Sequence, residues 1–407
     1  MGGLFSHQAI IDRYTPLIDA ETVALLDQAV AAIVAGKRQG RKVVVATGSG
    51  PNLHEGVTTL IAELMNKGII DGVLTSAAVV AHEMAGTLDK VKRIDGRTLG
   101  LAGDLLPKGQ PFETSELAES ELALLRQELV LDDDLLARCR TAEGKVIIKA
   151  AGNMAYPLGW RSERLAREIM HIAQTYGLPF ETVAGWGADP HTMIGAGASQ
   201  GLPVLVSVPQ LVGGGAVGLA IADSLPVSER CMQVAELLAS AAVIIESAVA
   251  LTQEIHDGPF ETYTGHGIWE AWDGYKTYSL AGKSLVRIDL DPNLKNAWLA
   301  ERQDQRVQEA INQGLPKTKL TGIPFRMEMS GFARLEGSLP LVGDIGVIWP
   351  VLACRVAAEL GVDLEFVSDP QQTPEGRQMR EWIVERVKPI RGERLLDTSR
   401  NFRKERR

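Results

Sequence analysis

One stretch constrains this chain more than any other: KVVVATGSGPNLHEGVTTLIAELMNKGIIDGVLTSAAVVAHEMAG, from Lys42 to Gly86. Lys42 to Ala46 is a β-branched run with no polar break, the pattern of a strand buried on both faces. Gly48, Ser49, Gly50 and Pro51 cannot continue a strand and make a tight turn. Val57, Leu60, Ile61 and Leu64 then recur at helical spacing, and Gly68 ends that helix. Val73 and Leu74 open the next strand, and Thr75, Ser76 and Ala77 are small residues at its exit. A parallel β-α-β unit sets both loops at the carboxyl ends of their strands, where open α/β sheets bind ligands and helix N-termini suit phosphate. Gly48-x-Gly50 is followed by Gly56, which is not the standard dinucleotide spacing. The spacing alone therefore leaves two readings open, a simple turn or a phosphate cradle.

The rest of the chain repeats the theme. Val146 to Ala150 reads as another buried strand, and Phe180 to Ala184, Leu202 to Val208, Ala242 to Ile245 and Ser284 to Leu290 as further strands. Thr22 to Ala35, Ser162 to Tyr176, Val227 to Ala241, Asn293 to Gln313, Val347 to Leu360 and Arg377 to Val387 read as helices. Leu88 to Pro111 shows no clear period, and Glu113 to Leu136 looks like an acidic, solvated helix. Gly213, Gly214 and Gly215 stand at a strand end, either as a flexible turn or as backbone that admits a ligand closely. Recurrent βα units of this kind imply an α/β, doubly wound, mostly parallel sheet. We expect a single domain over 1–390, with inserted segments near 88–140 and 255–340, and a mobile basic tail over 391–407.

Composition narrows the function. Of 407 residues, 45% are hydrophobic and 23% charged, as in ordinary globular proteins. A net charge of -9 argues against a general nucleic-acid partner. Cys139, Cys231 and Cys354 are far apart and fit small buried apolar residues in a reducing compartment. MGGLFSHQAIIDRY lacks the basic and apolar segments of a signal peptide, and Glu236 and Glu246 interrupt the longest apolar stretch, so the expectation is a cytoplasmic protein that spans no membrane. The histidines lack metal-ligand spacing, and no metal is expected.

The segment HDGPFETYTGHGIWEAWDGYK, His256 to Lys276, has neither helix nor strand period. Irregular polar-aromatic segments often wall pockets, and Asp257, Glu270 and Trp272 are its candidate substrate contacts, Trp272 through cation–π contact.

TGSGPNLHEG, GIIDGVLTSAAVVAHE, GLPVLVSVPQLVGGGAVGLAI and PLVGDIGVIWPVLACRVAAEL occur in the order seen in deoxyhypusine synthases, and they also resemble the NAD-binding region of archaeal-type ornithine cyclodeaminases. The run ending in His82 and Glu83 is more similar to the second group. The resemblance implies a Rossmann-like fold, bound NAD and a homotetramer. It implies a dinucleotide site lined by Gly48, Ser49, Gly50, Asn52, Thr75, Ser76, Ala77, Gly213, Gly214, Gly215 and Asp344. Both groups oxidise a C–N bond to an imine with the hydride held on NAD, so the implied partner is a small amine or amino acid. Glu83 is then the candidate to hold a cationic amine and His82 to move a proton. Trp272-Asp273-Gly274-Tyr275-Lys276 is similar to the synthases' imine-forming lysine motif but one residue longer, which makes Lys276 the candidate nucleophile. Aminobutyl transfer to a protein lysine, and a non-catalytic NAD-binding scaffold, remain alternatives.

Overall fold

The computed structural model describes residues 7–48, 50–152, 154–248, 276–315, 317–323 and 336–405. The first strand, β1 (Lys42–Thr47), is buried from Val43 to Thr47, as its unbroken β-branched run requires. Each of its valines removes a whole side chain from water, a contribution of roughly 1.5–3 kcal/mol. The chain then winds outward through β2 (Gly72–Thr75). It passes four strands of a separate sheet, β3 (Leu88–Asp95), β4 (Pro111–Ser115), β5 (Lys145–Ala150) and β6 (Ala155–Tyr156), before β7 (Val204–Val206). It returns to the other side of β1 with β8 (Ala241–Ser247) and continues through β9 (Ser284–Asp289) to β10 (Ser338–Val342).

The six-stranded sheet has the order β10-β9-β8-β1-β2-β7, and every adjacent pair in it is parallel. Counted along the sheet from β7, its strands run third, second, first, fourth, fifth, sixth. That is the order of the dinucleotide-binding doubly wound fold, and its direction reverses between β1 and β8. The protein is thus a Rossmann-like α/β fold. Val43, Val45, Val73, Ile245 and Ile288 face one layer with the helices Ala20–Arg38, Val57–Asn66 and Ile345–Leu360. Val44, Ala46, Leu74 and Ile244 face the helix Val227–Ser240. No helix among the described residues is long and apolar enough to cross a membrane.

The outer edge at β7 is closed by side chains. Glu181 accepts the Val206 N–H at 2.5 Å, and Arg230 donates to the Val206 carbonyl at 3.2 Å. Glu181 and Arg230 also pair with each other at 2.5 Å, both wholly buried. The main-chain N–H and C=O of Val206, at the tip of this edge strand, are therefore used inside the molecule.

Several elements differ from the sequence expectation. Val146 to Ala150 lies at the edge of the second sheet, ordered β5-β3-β4-β6, and not in the main one. Its residues are apolar enough for a core strand, but Val146 is 46% exposed. Leu88–Asp95 and Pro111–Ser115 are strands of the same sheet, paired antiparallel. Phe180–Gly185 is a helix: it starts after Pro179, which favours a helix start over a strand interior. The basic C-terminal segment forms the helix Gly392–Glu405, with Leu395 buried and Phe402 packed on Tyr176 and Trp186, instead of a mobile tail.

Candidate functional site

The reversal point is built by the tips of β1 and β8, where Thr47 lies in register with Ser247. Gly48 donates its N–H to the Ser247 carbonyl at 3.1 Å, and a Cβ there would sit 3.0 Å from the Ala248 carbonyl oxygen. Asn52 then locks the turn. Its Nδ2 donates to the Gly48 carbonyl at 3.3 Å, and its Oδ1 accepts from Ser247 Oγ at 2.6 Å. Trp349 Nε1 donates to the same Ser247 Oγ at 2.9 Å. Asn52, Ser247 and Trp349 are all fully buried. The Asn52 amide and both main-chain groups of Gly48 are thus engaged in holding the loop's shape, and Gly50, at the start of the helix Gly50–His54, is left to present backbone.

The tip of β2 adjoins this turn, since Ala46 pairs with Leu74 and the next residues are Thr47 and Thr75. Ser76 caps the helix Ala77–Met84, its Oγ accepting from Val79 N at 3.2 Å. Thr75 Oγ1 is buried and has no hydrogen-bond partner among the described residues, an unusual state for a native hydroxyl. The loop after β7 lies on this helix. Gly213, Gly214 and Gly215 have φ of 146°, 75° and 63°. A Cβ at Gly214 would lie 2.8 Å from the Ala81 Cβ and 3.2 Å from the Ala77 oxygen. Only glycine reaches these φ values without strain, and only glycine fits against the helix. The structure therefore brings Thr75, Ser76 and Ala77 together with Gly213, Gly214 and Gly215.

Asp344 caps the helix Ile345–Leu360 through Gly346 N at 2.8 Å. Its neighbour across the site is Glu55, which packs against Gly346 and accepts from Gln371 N at 2.8 Å and Nε2 at 2.7 Å. Burial raises the Glu55 carboxyl, and the Asp344 charge adds to the effect.

Other candidates are placed elsewhere. Glu83 is buried, and its carboxylate accepts Met193 N at 2.8 Å and Ile194 N at 3.1 Å, capping the helix Met193–Gln200. Both oxygens are committed to main chain, so an amine-holding role for Glu83 is corrected to a capping one. Lys276 is exposed and lies over the Tyr278 ring at 4.7 Å, and Tyr278 packs in the layer under Val227–Ser240 with its OH on Glu236. An imine-forming lysine requires a desolvated pocket, and an exposed Lys276 is not in one. Ser49, Asp257, Glu270 and Trp272 lie outside the described residues.

His82 is nearer to chemistry, but its setting was not legible. Its Nδ1 meets the Ala151 carbonyl, and burial lowers its pKa. Around it stand residues that no motif flagged. His54 ends the short helix Gly50–His54, and burial, then Arg380, lowers its pKa as well. Arg380 Nη2 lies 3.5 Å from His54 Nδ1 and donates to the Ile148 carbonyl of β5. Lys149 pairs with Glu113 at 2.7 Å, a carboxylate shared with Arg93 at 2.7 Å. Both imidazoles are therefore neutral near pH 7 and able to accept a proton. A surface cleft of about 490 Å³ lined by Gln174, Asp223 and Glu229 lies at the far end of the helix Ala216–Ser224 from the glycine loop.

No protein-family model matches the chain, and no curated protein does. Among solved structures, the ternary complex of AgrE with ornithine and NAD+ is 11% identical, at a TM-score of 0.41 over 84% of this chain and 34% of that one. ArgZ, an arginine dihydrolase from the ornithine-ammonia cycle in cyanobacteria, is 12% identical, at 0.37 over 84% and 32%. A conserved putative LOR/SDH protein from Methanococcus maripaludis S2 is 10% identical, at 0.39 over 84% and 71%. The chain spans about a third of the length of AgrE and ArgZ. Scores at this level identify no function; the functional reading belongs to the residues themselves.

Proposed function

We propose that this chain is an NAD-dependent enzyme that acts on a small amine or amino acid through transient oxidation of a C–N bond. The observation that carries the reading is the strand order, which reverses between β1 and β8 and gathers two glycine loops and an unpartnered Thr75 hydroxyl at one edge. The residues fit a dinucleotide: Gly48 fixes the turn at the reversal and Gly50 presents main chain there, Gly213 to Gly215 do so beside β2, and the buried Thr75 Oγ1, unpartnered among the described residues, adjoins them. NAD would supply the hydride acceptor and return the hydride after the bond changes.

The chain's own groups do the rest. Neutral His54 or His82 accepts the proton released from the amine. Asp344, a carboxylate near the first loop with one oxygen engaged in its helix cap, replaces Glu83 as the partner for a cationic amine. Transfer through a lysine imine is disfavoured by the exposed position of Lys276. The test is native mass spectrometry of gently purified protein, then nicotinamide absorbance with a panel of amino acids that includes ornithine and arginine. Bound NAD and an amine-dependent absorbance change are expected. NAD without any such change would favour the scaffold reading, and no nucleotide binding at all would overturn the proposal. A homo-oligomer is proposed as well, and light scattering after size exclusion checks it.

A further inference from the structure

The second sheet leans on the first loop and leaves a guanidinium there with no ion-paired carboxylate among the described residues. Arg380, on the helix Pro374–Arg386, reaches between β5 and His54. It is partly buried, and its Nε is buried with no hydrogen-bond partner among the described residues. Among the described residues no carboxylate is in ion-pair distance of it. The acids that face it are otherwise occupied. Glu55 accepts the main-chain and side-chain N–H of Gln371, and Glu381 lies 3.9 Å from Lys90. Lys149 in turn acts electrostatically on both His54 and His82. A half-desolvated cation with an idle donor is costly unless an anion completes it, and a guanidinium fork matches the geometry of an oxyanion.

We propose that Arg380, with Lys149 and His54 beside it, is the seat for an oxyanion of the bound ligands, the α-carboxylate of an amino-acid substrate or a phosphate of the cofactor. The proposal rests on the NAD-dependent enzymatic function and deepens it. His54 follows the first glycine loop within the short helix Gly50–His54, and His82 shares a helix with Ala77, so the seat flanks the strand tips. An anion held there fixes one end of a substrate while the neutral imidazoles face its reactive portion.

The experiment measures binding by calorimetry to wild-type protein and to Arg380→Gln and Arg380→Lys, with three probes: NAD, an α-amino acid, and the amine left when that acid loses its carboxylate. Loss of one charge-assisted contact predicts a drop on the order of 10–100-fold in Arg380→Gln. A drop confined to the amino acid, with NAD and the amine unchanged, places a substrate carboxylate on Arg380. A drop confined to NAD places a cofactor phosphate there. Partial recovery in Arg380→Lys supports either case, because a purely structural pin on Ile148 would not discriminate the probes. Unchanged affinity for all probes in a folded Arg380→Gln protein overturns the seat and leaves the NAD reading intact. Wild-type protein that binds no NAD overturns the enzymatic reading itself, so the wild-type measurement separates that failure from failure of the seat. Should Arg380→Gln not fold, His54→Gln and the wild-type comparison of acid against amine decide. Equal wild-type affinity for acid and amine, with His54→Gln leaving NAD affinity unchanged, overturns the seat.

Discussion

Ser247 Oγ donates to Asn52 Oδ1 at 2.6 Å, across the point where the sheet reverses its winding. The bond ties the loop after the first strand to the tip of the fourth, and Trp349 Nε1 completes it from the helix above. Asn52→Ala leaves the Ser247 hydroxyl without its acceptor and the Gly48 carbonyl without its side-chain donor, in a buried place. We expect a loss of about 1–3 kcal/mol of stability in urea unfolding, and a fall in NAD affinity larger than any change in secondary structure. Trp349→Phe removes the indole donor to Ser247 and also leaves a cavity in the core, so a packing loss adds to the lost bond. An Asn52→Ala protein with wild-type stability would show that the loop does not depend on this chain of bonds.

Glu181 and Arg230 form a wholly buried pair. Truncating one member strands the other's charge, so Arg230→Met is expected to cost about 3–5 kcal/mol. Removing both charges with Glu181→Gln and Arg230→Met restores part of that loss. Denaturation of the two single variants and the double variant gives the coupling directly.

Gly214 sits at a φ of 75° with the Ala77–Met84 helix against it. Gly214→Ala strains the left-handed backbone and drives a methyl toward Ala81, at a cost of about 1–3 kcal/mol. The loop shifts away from Thr75, and weaker NAD binding is the expected result. Gly177→Ala, at another left-handed helix end but with open space around its Cβ, carries the backbone cost alone and leaves NAD binding unchanged.

Burial pushes the Glu83 carboxyl up to about 7, against the pull of the Met193 and Ile194 N–H groups. The unfolded chain gives up this proton first as pH rises, so the stability contribution is complete below the ordinary carboxyl value of 4.5 and is lost on the way to about 7. The loss is on the order of 3 kcal/mol. Asp89, raised to about 6, acts in the same direction over a lower window. Urea midpoints of wild type and Glu83→Gln, taken at about pH 5 and about pH 8, isolate Glu83. The variant is expected to lose less stability over that interval than wild type does.

The alternation of strand and helix was legible because β1, β8 and the helices around them are buried strongly enough to show their period. β3 was not. Its Asp89, Lys90, Lys92 and Arg93 give it the composition of a loop, and it is a strand because β4 and β5 pair with it on both sides. The Phe180–Gly185 segment has strand-like residues, but the proline before it favours a helix start, a local signal that outweighs their strand preference. The tips of β2 and β7 could be read from small residues and glycines. Arg380, Lys149 and His54 could not, because they come from three elements far apart in the chain and carry no spacing. Glu83 misled for the opposite reason: a polar residue beside a strand exit looks catalytic until its oxygens are seen on a neighbouring helix.

The sealed rim at β7 has a consequence for how copies of this chain can meet. A strand approaching the tip of β7 would have to displace a charge pair from the interior before it could pair with Val206, so a continuous ladder through that residue is disfavoured.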